Sequence, residues 1–211
     1  MDSLVESAEG GLRERKKAIV KNALVESAYT LFRKRGFIDT SVDDIAEHAR
    51  VSRRTFFRYF PSKDDVLFLD RRASLETFKM LLEPGDDNEP LFLPLKRAWQ
   101  AMAKLYVSQS AHVLETQAII DAHPQLRGRE LDADRLWTTA MTKYLIDRLG
   151  DTASMRLRAR IVASAIMGAA RTIVRQWSTE RKGNADLVNM TNEALALFEP
   201  LVEGLRSSAR A

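Results

Sequence analysis

The sequence predicts an all-α protein, with an N-terminal three-helix unit at residues 1–63 and a larger helical domain at 64–211, about nine helices in all. Three observations carry that expectation. The stretch Thr40–Lys63 reads as two short helices with separate caps, a tight turn between them and a hard stop at Pro61. From about Leu91 onward, apolar residues recur at helical spacing almost without a break. Between these regions lies one clear loop, Glu83–Pro90, with two prolines, a glycine and four acids, a candidate hinge.

Composition bounds the function before any motif is read. A chain of 211 residues that is 45% hydrophobic can bury a sizeable core. No apolar run reaches the roughly eighteen residues of a membrane span, and the N-terminus does not read as a signal peptide, so the expected location is the cytoplasm with no membrane partner. Absence of cysteine excludes disulfides, thiol catalysis and thiolate metal sites. The formal charge of +4 is unevenly placed. Residues 1–63 carry 13 Lys and Arg against 9 Asp and Glu, while the remainder carries 20 of each. All of the excess positive charge sits in the first unit, where release of counterions from a polyanion uses it.

Met1 to about Gly11 lacks periodicity and reads as a mobile arm, followed by the basic run Arg13, Arg15, Lys16, Lys17 and Lys21. Val20, Leu24, Ser27, Ala28 and Leu31 then line one face of a first helix, and Gly36 suits the residue just past its end. In the next element Val42, Ile45, Ala46 and Ala49 share a face, Ser41 is the N-cap and Asp44 completes an approximate capping box. Ser52 caps the following helix, Arg53 to Tyr59. Two helices this short, joined this tightly, have the geometry of a helix-turn-helix. Its second helix presents Arg53, Arg54 and Thr55 for base edges, with Arg58 beyond them, while Val51, Phe56 and Phe60 face inward. Arginine matches guanine O6 and N7, and threonine offers a hydroxyl or a methyl to thymine.

On Ala28, Leu31, Phe32, Gly36, Phe37, Thr40, Val42, Ile45, Ala46, Val51, Ser52, Phe60, Ser62, Lys63 and Leu67, the segment from about Arg13 to Leu67 resembles the DNA-binding domain of the TetR family of transcriptional regulators. The resemblance implies an all-helical homodimer on double-stranded operator DNA, with phosphates held by Ser41, Arg58, Tyr59 and Lys63 and the basic N-terminus near the DNA. Two positions depart from the family pattern. Arg50 stands where the turn usually has glycine, and Phe57 stands where many members have a tyrosine hydroxyl.

Ser62 is expected to cap a fourth helix running to about Leu82, with Asp64 and Asp65 in its first turn. Further helices are expected at about 91–109, 110–122, 125–149, 152–179 and 185–205, with Lys182-Gly183-Asn184 as the last turn. The helix at about 152–179 carries apolar stripes on more than one face, one of them made mostly of small residues with Ile161, Ala165 and Gly168, and the final helix carries a stripe that includes Leu197 and Leu201. Intramolecular packing explains such stripes equally well. The resemblance implies that these two helices form the dimer interface. Trp99, Met102, Tyr106, Trp137, Met141, Tyr144 and Met167 make a Met and aromatic group that reads as ordinary core or as the lining of a pocket. By resemblance this region encloses a small apolar effector, with Gln117 or Arg171 meeting a polar group on it.

No P-loop, dinucleotide motif or nucleophile elbow is present, so neither an enzyme nor a bound cofactor is expected. His112 and Glu115 lie three apart on a helix with Asp121 and His123 further on, so a metal site can be drawn. Two ligands at helical spacing are common on exposed faces and zinc usually needs three or four, so no metal is expected. The expected function is a one-component regulator, a repressor released from a palindromic operator by its effector. An architectural DNA-binding protein without an effector is the alternative, and some 150 residues beyond the helix-turn-helix exceed what dimerisation requires.

Overall fold

The computed structural model describes residues 2–83, 86, 88–180 and 186–209, with side chains described from 15 to 206 among them. The described residues form ten α-helices and no strand: α1 (Asp2–Arg35), α2 (Val42–His48), α3 (Arg53–Tyr59), α4 (Asp64–Leu67), α5 (Leu69–Leu82), α6 (Phe92–Ser108), α7 (Ser110–Ala122), α8 (Pro124–Leu149), α9 (Ala153–Thr179) and α10 (Leu187–Ala209). The chain divides into two compact units, Met1–Leu69 and Asp70–Ala211.

The first unit is built around α1, whose Leu24, Ala28 and Phe32 are buried with Ile45 and Ala46 of α2 and Phe56 of α3. Residues 2–11, expected to lack regular structure, are helical. Leu, Glu and Ala there are adequate helix formers. Gly36 ends α1 at φ +88°, with its N–H on the Phe32 carbonyl at 2.9 Å, and the Thr40 hydroxyl donates to the Gly36 carbonyl at 2.8 Å.

The fourth helix does not run unbroken to Leu82: it stops at Leu67, Phe68 takes φ −103° and ψ 6°, and α5 restarts at Leu69. Asp65, Val66, Leu67 and Phe68 are all buried. Four consecutive residues sweep about 300° on an uninterrupted helix, so these four do not share one face. Ser62 lies one residue further out than expected. Lys63 occupies the N-cap position, and the Ser62 hydroxyl donates to the Asp65 carboxylate at 2.8 Å.

In the second unit, α5, α6, α8, α9 and α10 enclose one apolar core, centred on Phe78, Trp99 and Trp137, with the two indole rings stacked at 5.7 Å. Pro124 opens α8, Gly150 closes it at φ +96°, and the Thr152 hydroxyl accepts from the Met155 N–H at 3.1 Å to start α9. The turn Lys182-Gly183-Asn184 lies outside the described residues. Asp186 supplies the cap of α10 by accepting from the Val188 and Asn189 N–H groups. Of the candidate hinge, Pro84, Gly85 and Asp87 lie outside the described residues, and its far end is fastened. Arg148 and Arg206 both donate to the Glu89 carbonyl, the Tyr144 hydroxyl donates to the Leu91 carbonyl at 2.7 Å, and the Glu203 carboxylate accepts from the Phe92 N–H at 2.8 Å.

Candidate nucleic-acid interface and internal cavity

The geometry of α3 is set by its neighbours in sequence. Ser41 and Asp44 complete the capping box: the Ser41 N–H donates to the Asp44 carboxylate at 2.8 Å and the Asp44 N–H to the Ser41 hydroxyl at 3.1 Å. That hydroxyl and the nearby Arg35 hold the Asp44 carboxyl below the usual range. At the other end of α2, the Val51 N–H reaches the Ala46 carbonyl and the Arg50 N–H the Glu47 carbonyl, both at 2.9 Å. This is a Schellman motif. Its left-handed residue is Arg50 at φ +55°, so the turn keeps the glycine conformation with an arginine in it. A non-glycine residue there costs about 1–2 kcal/mol. Ser52 then caps α3 by accepting from the Thr55 N–H at 3.1 Å.

With both ends of the turn fixed, α3 buries Phe56 and leaves Arg53, Arg54, Phe57 and Arg58 exposed. Arg53 pairs with Asp43 at 2.6 Å and stacks over the Phe57 ring at 5.4 Å. A pair this open to water is worth about 0–1 kcal/mol, so the guanidinium is readily released. The ring that lacks the tyrosine hydroxyl thus steadies a basic side chain instead. Thr55 is half-buried and shares its hydroxyl with Ser52 at 2.9 Å. Arg58 lies over the Tyr59 ring at 5.1 Å.

Two residues expected at phosphates have other commitments. Lys63 donates its ammonium protons to the carbonyls of Phe37, Ile38 and Thr40 at 2.7, 3.1 and 2.8 Å, and lies over the Phe37 ring. An ammonium has three donors, so none is left over. Burial among these groups lowers its pKa. Ser41 uses its hydroxyl as both acceptor and donor in the capping box.

In the second unit a cavity of about 60 Å³ lies among α5, α6, α8, α9 and α10. Trp99, Met102, Tyr106, Trp137, Met167 and Arg171 line it, while Gln117, Met141 and Tyr144 do not. Met141 is fully buried core, Tyr144 is held by the Leu91 carbonyl, and Gln117 is buried with its amide nitrogen lacking a hydrogen-bond partner among the described residues.

Sequence reading missed the polar cluster against this cavity. Arg71 donates to Glu130 at 3.0 Å and to Asp134 at 3.3 Å, Arg171 to Asp134 at 3.0 Å, and Arg175 to Glu130 at 2.8 Å. Glu130 and Asp134 are only 1% and 7% exposed at their side chains. Burial raises the Asp134 pKa, and Glu130 adds to the rise while Arg71 and Arg171 oppose it. A signal was present. Glu130 and Asp134 repeat a charge at i, i+4, as do Arg171 and Arg175, and like charges at that spacing destabilise an isolated helix unless a second helix supplies the opposite sign.

The outer faces of α9 and α10 carry exposed apolar residues. Ile161, Leu197 and Leu201 are 58%, 75% and 57% exposed, and Ala165 is exposed beside them with Gly168 half-buried. Of the candidate metal group, His112 pairs instead with Asp70 at 2.8 Å. No grouping of three or more metal-ligating side chains exists among the described residues, and no helix there is long and apolar enough to cross a membrane.

Comparison with known proteins decides the lineage. Residues 24–68 match the profile of bacterial regulatory proteins of the tetR family, and residues 89–203, over half of the chain, match the MftR C-terminal domain. The chain belongs to the TetR family. It is 26% identical over 191 residues to MftR of Mycobacterium tuberculosis, a protein assigned to regulation of mycofactocin biosynthesis, spanning 90% of this chain and 93% of that one. It is 27% identical over 203 residues to the HTH-type transcriptional regulator TcmR of Streptomyces glaucescens, spanning 93% and 87%. The TetR fold extends to solved structures. Thermus thermophilus FadR, a TetR-family repressor solved with lauroyl-CoA, superposes with a TM-score of 0.54 at 23% identity over 84% of this chain and 92% of its own. SmeT, repressor of the Stenotrophomonas maltophilia efflux pump SmeDEF, does so at 0.57 with 17% identity over 84% and 87%. As a TetR-family protein, this chain is a DNA-binding transcriptional regulator.

Proposed function

We propose that this regulator is a repressor that binds a two-fold symmetric operator as a homodimer in the cytoplasm and leaves it when a small, largely apolar molecule occupies the cavity of its second unit. The observation that carries the DNA half of this reading is α3 itself: a helix held at its N-terminus by Ser52 and the Schellman turn, with Arg53 and Arg54 exposed at its start. Those two side chains read base edges, Thr55 offers its methyl, and Arg58 and Tyr59 meet phosphates. Lys63 and Ser41 act one step back by holding the backbone that presents α3.

The apolar stripe of Ile161, Ala165, Gly168, Leu197 and Leu201 is the dimer face. It supports the reading because a stripe this exposed on two neighbouring helices needs a cover, and a second copy supplies one by symmetry. The effector half rests on the cavity. Its wall includes Arg71, two residues into α5, the helix that follows the helix-turn-helix unit in the chain. Ligand in the cavity shifts the regulator only by its differential affinity for the two dimer conformations, and DNA weakens ligand binding by the same factor. Thermus thermophilus FadR was solved with lauroyl-CoA, whose apolar acyl chain is joined to a charged coenzyme A, so this fold holds a molecule with a large apolar part.

The test is selection of operator sequences from a random duplex library by the full-length protein. A palindromic consensus is expected, with Arg53→Ala and Arg54→Ala each losing about 1–3 kcal/mol and relaxing different positions of it. A non-palindromic consensus, or unchanged selectivity in both variants, would overturn the assignment.

A further inference from the structure

The cavity wall is mostly carbon, from Trp99, Met102, Trp137, Ile166, Leu195 and Phe198, yet Arg71, Asp134 and Arg171 also reach it. Two arginines against one aspartate suggest a seat for a carboxylate. The bonding says otherwise. Both oxygens of Asp134 accept from Arg71 and Arg171, and both oxygens of Glu130 accept from Arg71 and Arg175. Arg175 also faces Asp121 at 3.5 Å. Three guanidinium groups therefore meet three carboxylates, and the cluster has no formal charge left for a ligand. The charges of Asp134 and its guanidinium partners already balance, so an entering anion competes with a buried carboxylate for their positive charge, and an entering cation sits beside two arginines. Either ion also loses its own hydration.

One neutral group in the wall is unsatisfied. The indole N–H of Trp99 is buried and has no hydrogen-bond partner among the described residues. Tryptophan is a donor only, so what it lacks is an acceptor. We infer that the effector is an uncharged, largely apolar molecule with an acceptor oxygen, of the ketone, ester or quinone type, which takes the Trp99 indole N–H. This rests on the reading of the cavity as the effector site.

The experiment uses the full chain and four probes of one ring size, chosen to be small because the cavity is: ethylbenzene without an acceptor, acetophenone with a neutral one, benzoate as the anion and benzylamine as the cation. Affinities come from calorimetry, and the indole N–H proton of Trp99, assigned by its loss in Trp99→Phe, is followed by NMR. Acetophenone should bind at least about ten-fold more tightly than benzoate or benzylamine and move the Trp99 indole proton downfield. Trp99→Phe keeps an aromatic ring, and should lose about ten-fold for acetophenone while leaving ethylbenzene within about two-fold. Tighter binding of either ion than of acetophenone overturns the inference without any variant, as does equal weakening of acetophenone and ethylbenzene by Trp99→Phe. Failure of all four probes to bind is a distinct result: it removes the cavity as effector site and the inference with it.

Discussion

Replacing Arg71 with methionine tests how the buried cluster is held together. The change keeps side-chain length and leaves Glu130 Oε1 and Asp134 Oδ1 without their donors, at side chains only 1% and 7% exposed. Breaking a buried pair from one side costs about 3–5 kcal/mol, and Arg71→Met should lose that much unfolding free energy near neutral pH. The dependence on pH gives a second handle. Burial already raises the Asp134 pKa above 3.8, and Arg71 is among the groups that restrain it, so its removal raises the pKa further. An acid with a folded-state pKa above its unfolded value holds its proton more tightly when folded. Its folded state therefore gains stability as pH falls through the folded pKa toward 3.8, and loses it as pH rises. The gap between wild type and Arg71→Met should narrow from about pH 7.5 to about pH 5. Adding Asp134→Asn to the variant removes one stranded charge and should recover roughly 1–2 kcal/mol at neutral pH. Urea unfolding followed by circular dichroism at the two pH values measures all three. A gap below about 1 kcal/mol, or one that does not change with pH, would mean that water screens the cluster as it screens a surface pair, and would refute the argument.

Three other outcomes follow from the same structure. Lys63→Met deprives three carbonyls of a charged donor and should destabilise the first unit by about 2–3 kcal/mol; DNA titrations on still-folded protein should show an unchanged salt slope, whereas a slope reduced by about one would return Lys63 to the phosphates. Arg50→Gly should raise unfolding free energy by about 1 kcal/mol, because glycine takes the left-handed turn without strain; a loss of stability in the same melt would show that the arginine side chain outweighs its backbone. Leu197→Glu enters a two-fold interface twice, and at about 1.5–3 kcal/mol per buried leucine it should weaken dimerisation by at least about 100-fold, while sedimentation showing an unchanged dimer would move the interface elsewhere.

What could be read from the sequence divides along the range of the interactions. The capping box at Ser41 and Asp44, the cap at Ser52 and the helix end at Gly36 join residues three or four apart, so their chemistry is visible in a short window. The break at Phe68 was hidden because it falls among four adjacent buried side chains, and periodicity through Leu69–Leu82 looks the same on either side of it. The inward bonds of Lys63 were hidden for a related reason. Its partners lie 23 to 26 residues away, and nothing local distinguishes an ammonium turned inward from one turned toward a phosphate. The arginines of α9 and the acids of α8 look like solvated faces until the two helices are side by side. Trp99 and Trp137 each read more readily as core than as cavity wall, and in the structure they are both.

The size of the cavity has a consequence in time. At about 60 Å³ it is well below the roughly 300–1,000 Å³ typical of pockets that hold a drug-sized molecule. A ligand that needs more room must displace the side chains that line it, and binding waits on the moments when the helices around it part. Association then slows roughly in proportion to the fraction of molecules that are open, and the apparent dissociation constant rises by the same proportion. Induction would lag the arrival of the effector by an interval that belongs to the protein and not to diffusion.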